Sequence, residues 1–226
     1  MKTLTIVFDT RISEAEIKYF RGAIVSLTKS DLFHNHTLDG RLRYSYPRIQ
    51  YKRIEGKAAI VFVGEGIDAM GEIFSQGGFD LSLGNRQCSM RIEQMFPAET
   101  ETCFVSVPQK YRIKGWLALN GENYRKYSST ESLSGRITML EGILQTNILS
   151  MLKSFDFYVH DRIRCTILDL EGPYTINYKD TRMRSFNATF ASNFSLPLFI
   201  GLGKGVSLGH GTLLPFPKEE NDTETM

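Results

Sequence analysis

The spacing of apolar residues along the first 95 positions changes in the order β-α-β-β-α-β, and few folds accept that order. Thr3 to Phe8 alternates apolar and polar, as a half-buried strand does. Ser13 with Glu16 three residues on is a helix-start signal, and Ile17, Phe20, Ile24 and Leu27 continue at helical spacing. Arg43 to Ile54 and Ala58 to Val63 read as two strands joined by Glu55-Gly56, a hairpin. Ile67 to Phe74 is a short helix closed by Gly77-Gly78, and Phe79 to Leu83 with Gln87 to Met95 supplies further strand. This is the ferredoxin-like order.

The second half partly repeats it. Cys103 to Val107 and Trp116 to Leu119 are strand-like. Leu140, Ile143, Leu144, Ile148 and Met151 mark an amphipathic helix over Ile137 to Leu152. Ile163 to Leu170 and Met183 to Phe190 alternate as a hairpin with a long connection. The pattern breaks at Phe96-Pro97-Ala98-Glu99, which predicts domains over 1–97 and 98–217 and an acidic tail over 218–226.

Composition narrows the function classes. The chain has 226 residues, 42% hydrophobic and 23% charged, without an apolar run near the ~20 residues of a membrane span. Met1 to Thr10 alternates like a strand, so no signal peptide is expected. Three widely spaced cysteines argue against a disulfide framework or zinc site and fit a reducing cytoplasm. The net charge is +2, and the tail sets one lysine against Glu219, Glu220, Asp222 and Glu224, so residues 1–217 hold +5. The body is modestly basic.

Gly201-Leu202-Gly203-Lys204-Gly205-Val206-Ser207-Leu208-Gly209-His210-Gly211 concentrates five glycines and a cation near the end. A P-loop needs Gly-x4-Gly-Lys-Ser/Thr, and a dinucleotide fingerprint needs glycine where Val206 stands. Both also need a following helix, whereas this loop leads into Thr212-Leu213-Leu214-Pro215-Phe216-Pro217. Two readings stay open: a cradle for a phosphate backbone, or glycines that only solve turn geometry.

His34-Asn35-His36 holds two of the four histidines, followed by Arg41, Arg43, Tyr44, Tyr46, Arg48, Tyr51, Lys52 and Arg53. RNA cleavage by the neighbouring 2′-OH needs a base, an acid for the leaving 5′ oxygen, and cations around phosphorus. Histidines, tyrosines and arginine or lysine supply those groups. Alternatives are a metal site completed by Asp31 or Asp39, one structural and one solvated histidine, and a basic strand face turned to solvent. The ββα metal finger of the nuclease motif spelled H-N-H does not match this segment. His160 reads as structural; His210 could reach a phosphate.

Phe194 to Ile200 followed by the glycine loop, with Leu32 to His36, Tyr46 to Lys52 and Gly64-Glu65-Gly66, resembles the CRISPR-associated repeat-processing endoribonucleases of the RAMP superfamily, small "b" subtype. The likeness spans nearly the full length. His210 departs from the loop pattern, where an apolar residue is usual. The resemblance implies an α+β fold of two tandem ferredoxin-like (RRM-like) domains. It also implies metal-independent cleavage of CRISPR precursor RNA within each repeat, leaving a 2′,3′-cyclic phosphate and a 5′-hydroxyl, without a cofactor. His36 takes the main acid/base role with His34 assisting; Tyr44 or Tyr46 orients the 2′-OH or phosphate, and Lys52 is the transition-state cation. Gly201, Gly203, Lys204, Gly205, Ser207, Gly209, His210, Gly211 and Arg48 are the expected RNA contacts. A non-catalytic RNA-binding subunit of a CRISPR effector complex is the alternative, and a homodimer is compatible with the group.

Overall fold

The computed structural model describes residues 1–28, 32–33, 46–75 and 78–217. β1 (Lys2–Arg11) leads through a 3-10 turn (Glu14–Glu16) into α1 (Ile17–Leu27). The Ser13 amide donates to Glu16 Oε2 at 2.8 Å, the reciprocal cap that the Ser-x-x-Glu spacing predicts. β2 (Ile49–Ile54) and β3 (Lys57–Val63) are joined by Glu55 and Gly56, with φ of 50° and 85°. Positive φ at both positions matches the strand twist and fixes the hairpin register. A 3-10 segment (Gly64–Ala69) runs into α2 (Met70–Phe74), followed by β4 (Phe79–Leu83), β5 (Arg86–Met90) and β6 (Ile92–Glu99).

The first sheet is antiparallel with order β2-β3-β1-β6, the ferredoxin-like arrangement in which the first and third strands are central. Two sequence expectations change here. The strand expected over Gln87 to Met95 divides at Arg91, and β4 pairs with β5 as a separate hairpin. β6 also continues through Pro97 to Glu99, past the expected boundary. It is an edge strand, where a missing N–H removes no ladder bond.

In the second half, β7 (Phe104–Trp116) is one long strand where two short ones were expected. α3 (Gly121–Ser129) and α4 (Leu133–Ser154) follow, then β8 (Cys165–Tyr178), β9 (Thr181–Phe194) and β10 (Thr212–Pro215). The Ser132 hydroxyl accepts from the Gly135 amide at 3.1 Å, starting α4 one turn before the apolar periodicity shows it. β8 and β9 meet through a two-residue turn, Lys179-Asp180, with φ of 46° and 61°, rather than a long connection. The outer half of β8 alternates as Tyr174-Thr175-Ile176-Asn177-Tyr178, so the strand runs on past Leu170.

The second sheet has order β10-β7-β9-β8, again ferredoxin-like, but residues 195–211 occupy the position of the second helix. That segment contains the glycine loop. Two tandem ferredoxin-like domains therefore share one plan, with the loop in place of a helix in the second.

β1, β2 and β3 of the first sheet are buried on both faces, whereas the edge strand β6 is exposed. Ile6, Phe8, Ile60 and Phe62 pack with Phe20 and Ile24 of α1, whereas Val61 and Val63 join the core built by Trp116, Leu144, Ile148 and Phe186. The second domain thus covers the back of the first. Among the described residues, no helix is long and apolar enough to cross a membrane.

Candidate functional site

β2 carries alternate side chains to the two faces of its sheet. Ile49 and Tyr51 enter the α1 core, so Gln50 and Lys52 face the second domain, and both are fully enclosed. Gln50 Oε1 accepts the Gly201 amide at 2.8 Å, and Lys52 Nζ donates to the Val206 carbonyl at 3.0 Å. The Tyr51 amide donates to the Ser207 carbonyl at 3.3 Å, and the Tyr46 hydroxyl donates to the Gly201 carbonyl. The glycine loop is thus stitched to the first domain along β2. Its glycines answer to that packing: a Cβ on Gly211, at φ 63°, would lie 1.9 Å from the Leu202 carbonyl oxygen.

This packing fixes where several of the expected site residues lie. β2 presents no basic face to solvent, because the loop covers it. Lys52 is enclosed and bonded within the chain, which does not suit a transition-state cation. Gly201 and Gly211 are buried with their amides bonded to Gln50 and to the Gly115 carbonyl, so they are not open to RNA. Tyr46 is half-buried with its hydroxyl withdrawn from water, and burial pushes its pKa upward.

Lys52 has a measurable consequence. Burial pushes its ammonium down to about 7, against about 10.4 in an unfolded chain. Between those values the unfolded chain holds the extra proton, so stability rises with pH. Burial raises Cys165, to about 12, as well as Tyr46 and Tyr51, which opposes the trend once unfolded thiols ionise near about pH 8.5 and unfolded tyrosines near about pH 10. The melting temperature is expected to climb between about pH 7 and 8.5 in wild type and to lose most of that slope in Lys52→Met. Equal slopes in differential scanning calorimetry would refute this.

The solvent side of the loop differs. Lys204 is exposed, with its Nζ 5.5 Å from the centre of the Tyr178 ring. The His210 imidazole meets the same ring edge-on at 5.4 Å, and Lys179 lies 5.9 Å from it. His210 is half-buried; burial pulls its pKa down, opposed by a hydrogen bond with the Gly115 backbone. Gly203, Gly205, Ser207 and Gly209 are half-buried along the same segment. Arg48 is drawn aside, pairing with Glu65 at 3.3 Å and lying over the Phe155 ring at 5.6 Å.

His34, His36 and Tyr44 lie outside the described residues. Their described neighbours are Phe33, buried edge-on against Phe62 at 6.2 Å, and Tyr46 at the glycine loop. Tyr178, Gln50 and the Trp116–Asn147 pair were not singled out from the sequence. Gln50 shows there only as a polar position in an alternating strand, and Tyr178 gives no signal because its hairpin arm brings it to the loop.

The Cas6b N-terminal domain family matches residues 1–101, and the Cas6b C-terminal domain family matches residues 104–216. An uncharacterized protein of Methanocaldococcus jannaschii is 36% identical over 106 residues, 46% of this chain and 71% of that protein. A solved structure described as a crystal structure of Cas6b superposes with a TM-score of 0.85 at 24% identity, covering 96% of this chain and 100% of the other. Another, of a CRISPR RNA processing endoribonuclease Cas6b, gives 0.70 at 22% identity, covering 95% and 99%. Two matching domain families that together span nearly all the described residues, on two ferredoxin-like sheets joined through the glycine loop, show that this chain belongs to the Cas6b family.

Proposed function

We propose that this chain is a metal-independent endoribonuclease that cuts CRISPR precursor RNA within its repeats. The observation that carries the reading is the match to both Cas6b domain families, over residues 1–101 and 104–216. In this reading the 2′-OH attacks the adjacent phosphorus and forms the P–O2′ bond as the P–O5′ bond breaks. The products are a 2′,3′-cyclic phosphate and a 5′-hydroxyl. His36 and His34 divide the tasks of removing the 2′-OH proton and protonating the leaving oxygen. Tyr44 is the candidate for orienting the reacting groups. Tyr46, two residues on, is held at the glycine loop.

Lys204 contacts the RNA backbone in this proposal and takes no part in bond breaking. Lys204→Ala is expected to lower the slope of log affinity against log salt by about 0.7, the value for one phosphate contact on a single strand. An unchanged slope in a salt titration would remove Lys204 from the interface.

The reading itself is tested by incubating the protein with an RNA carrying the repeat of its source organism's CRISPR array, in excess EDTA, and mapping the ends. Cleavage with cyclic-phosphate and 5′-hydroxyl ends supports it. Loss of cleavage on chelation would overturn metal independence, and binding without cleavage would make the chain an RNA-binding subunit.

A further inference from the structure

A cleft of about 490 Å³ opens beside the glycine loop, between α4, the start of α3 and the connection that follows β7. We infer that it receives one unpaired nucleobase of the bound RNA and gives the protein a base preference beside the backbone contact of Lys204. This rests on the RNA-binding reading above.

The cleft wall is built for a flat, edge-polar ligand. Met139 and Ile143 supply apolar surface, and Tyr46 adds an aromatic side chain at the loop end. Asn123, Thr146, Asn147 and Ser150 supply amides and hydroxyls, and none of the described lining residues is acidic. Base faces bind apolar and aromatic surface, while base edges seek donors and acceptors. The volume lies within the range of small-ligand sites and is too small for a folded partner. Lys204 lies on the rim side formed by the glycine loop, where a phosphate attached to the bound nucleoside would meet a cation.

Two features sharpen the assignment. Trp116 Nε1 donates to Asn147 Oδ1 at 2.9 Å, and indole offers only a donor, so the orientation of the Asn147 amide is set. The NH2 group of the same amide is thereby turned away from the indole. Gly142 is the second feature. It sits within α4, where glycine is unfavourable, yet a Cβ there would meet nothing within 4 Å. Among the described residues, no contact demands this glycine. Its effect is to leave the cleft wall flat.

The test uses fluorescein-labelled ten-nucleotide homopolymers of U, A and C, with affinities measured by anisotropy on the full chain. Wild type is expected to bind one of the three about tenfold more tightly than the weakest. Gly142→Trp, which fills the cleft while leaving Asn147 and its bond to Trp116 in place, and Asn147→Leu should each bring the three within about twofold. Lys204→Ala should weaken all three by the same factor and leave the ratio intact. Gly142→Trp decides the matter if Asn147→Leu loosens the fold by stranding the indole donor. Equal binding of all three by wild type, or a ratio that survives Gly142→Trp, overturns the base pocket while leaving RNA binding standing. Failure of wild type to bind any of the homopolymers or the repeat RNA sinks both.

Discussion

Replacing His36 by alanine is expected to lower the cleavage rate of repeat RNA by about 10²–10⁴-fold while changing its affinity by less than about twofold. The expectation follows from the chemistry proposed for the histidine pair. A 2′-hydroxyl is a poor nucleophile at neutral pH, and a 5′ alkoxide is a poor leaving group. An imidazole whose ordinary pKa is about 6.5 can accept one proton or donate the other without a metal. Binding rests on other groups, Lys204 among them, so removal of the imidazole should separate the two measurements. Single-turnover cleavage of end-labelled RNA and anisotropy with a 2′-deoxy substrate at the scissile position provide the readouts. Full cleavage by His36→Ala would remove that assignment, and a parallel loss of binding would give His36 a contact role instead. His34→Ala, assigned the assisting role, should cost less than His36→Ala.

Gly211→Ala is the substitution expected to harm the fold most. Gly211 is buried at φ 63°, and an added Cβ would lie 1.9 Å from the Leu202 carbonyl oxygen and 3.0 Å from its carbon. Those are backbone atoms, which no rotamer change moves aside. The Leu202 amide donates to the Gly211 carbonyl at 2.8 Å, and the Gly211 amide to the Gly115 carbonyl at 3.1 Å. Relief of the clash must stretch that pair and shift the loop against Lys52 and Gln50. The left-handed backbone alone costs alanine about 1–2 kcal/mol, and each compromised hydrogen bond about 1 kcal/mol more. A loss of about 3 kcal/mol corresponds to a fall in melting temperature of about 6–12 °C for a chain of this size. Gly142→Ala is the internal control: with open space around its Cβ it should raise stability by about 0.5–1 kcal/mol. A Gly211→Ala protein that melts with wild type would show that the loop does not bind the domains together as described.

The two substitutions also show why the glycine-rich stretch is ambiguous as a string of letters. Glycines that cradle a phosphate and glycines that let a chain pack closely against itself look the same. Gly201 and Gly211 belong to the second kind, since their amides are bonded to Gln50 and Gly115. Lys204 keeps its ammonium on the solvent side and fits the first. The loop is therefore an interdomain clasp with one exposed cation.

Local order was legible wherever a short stretch satisfies itself. The Ser13–Glu16 cap, the Glu55-Gly56 turn and the apolar stripe of α4 each depend on residues within a few positions, so spacing alone reveals them. The ferredoxin-like order of the first domain follows from such stretches taken in sequence. The division between β5 and β6 did not, because the strand signal runs through Arg91 without a break. Nor did the length of β8 and β9, because the outer end of β8 packs, through Tyr178, on His210 of the distant glycine loop.

What tertiary structure alone decided is the fate of the second face of β2. Arg48, Gln50 and Lys52 alternate with apolar neighbours, and in an isolated strand such a row belongs in water. Docking of the second domain makes the interior positions of that row buried, and the acceptor for Lys52 comes from Val206, 154 residues away. A buried cation is tolerable only where its hydrogen-bond partners are in place. Those partners exist only once the glycine loop has replaced a helix in the second domain and closed over the first, so no reading of neighbouring residues could supply them.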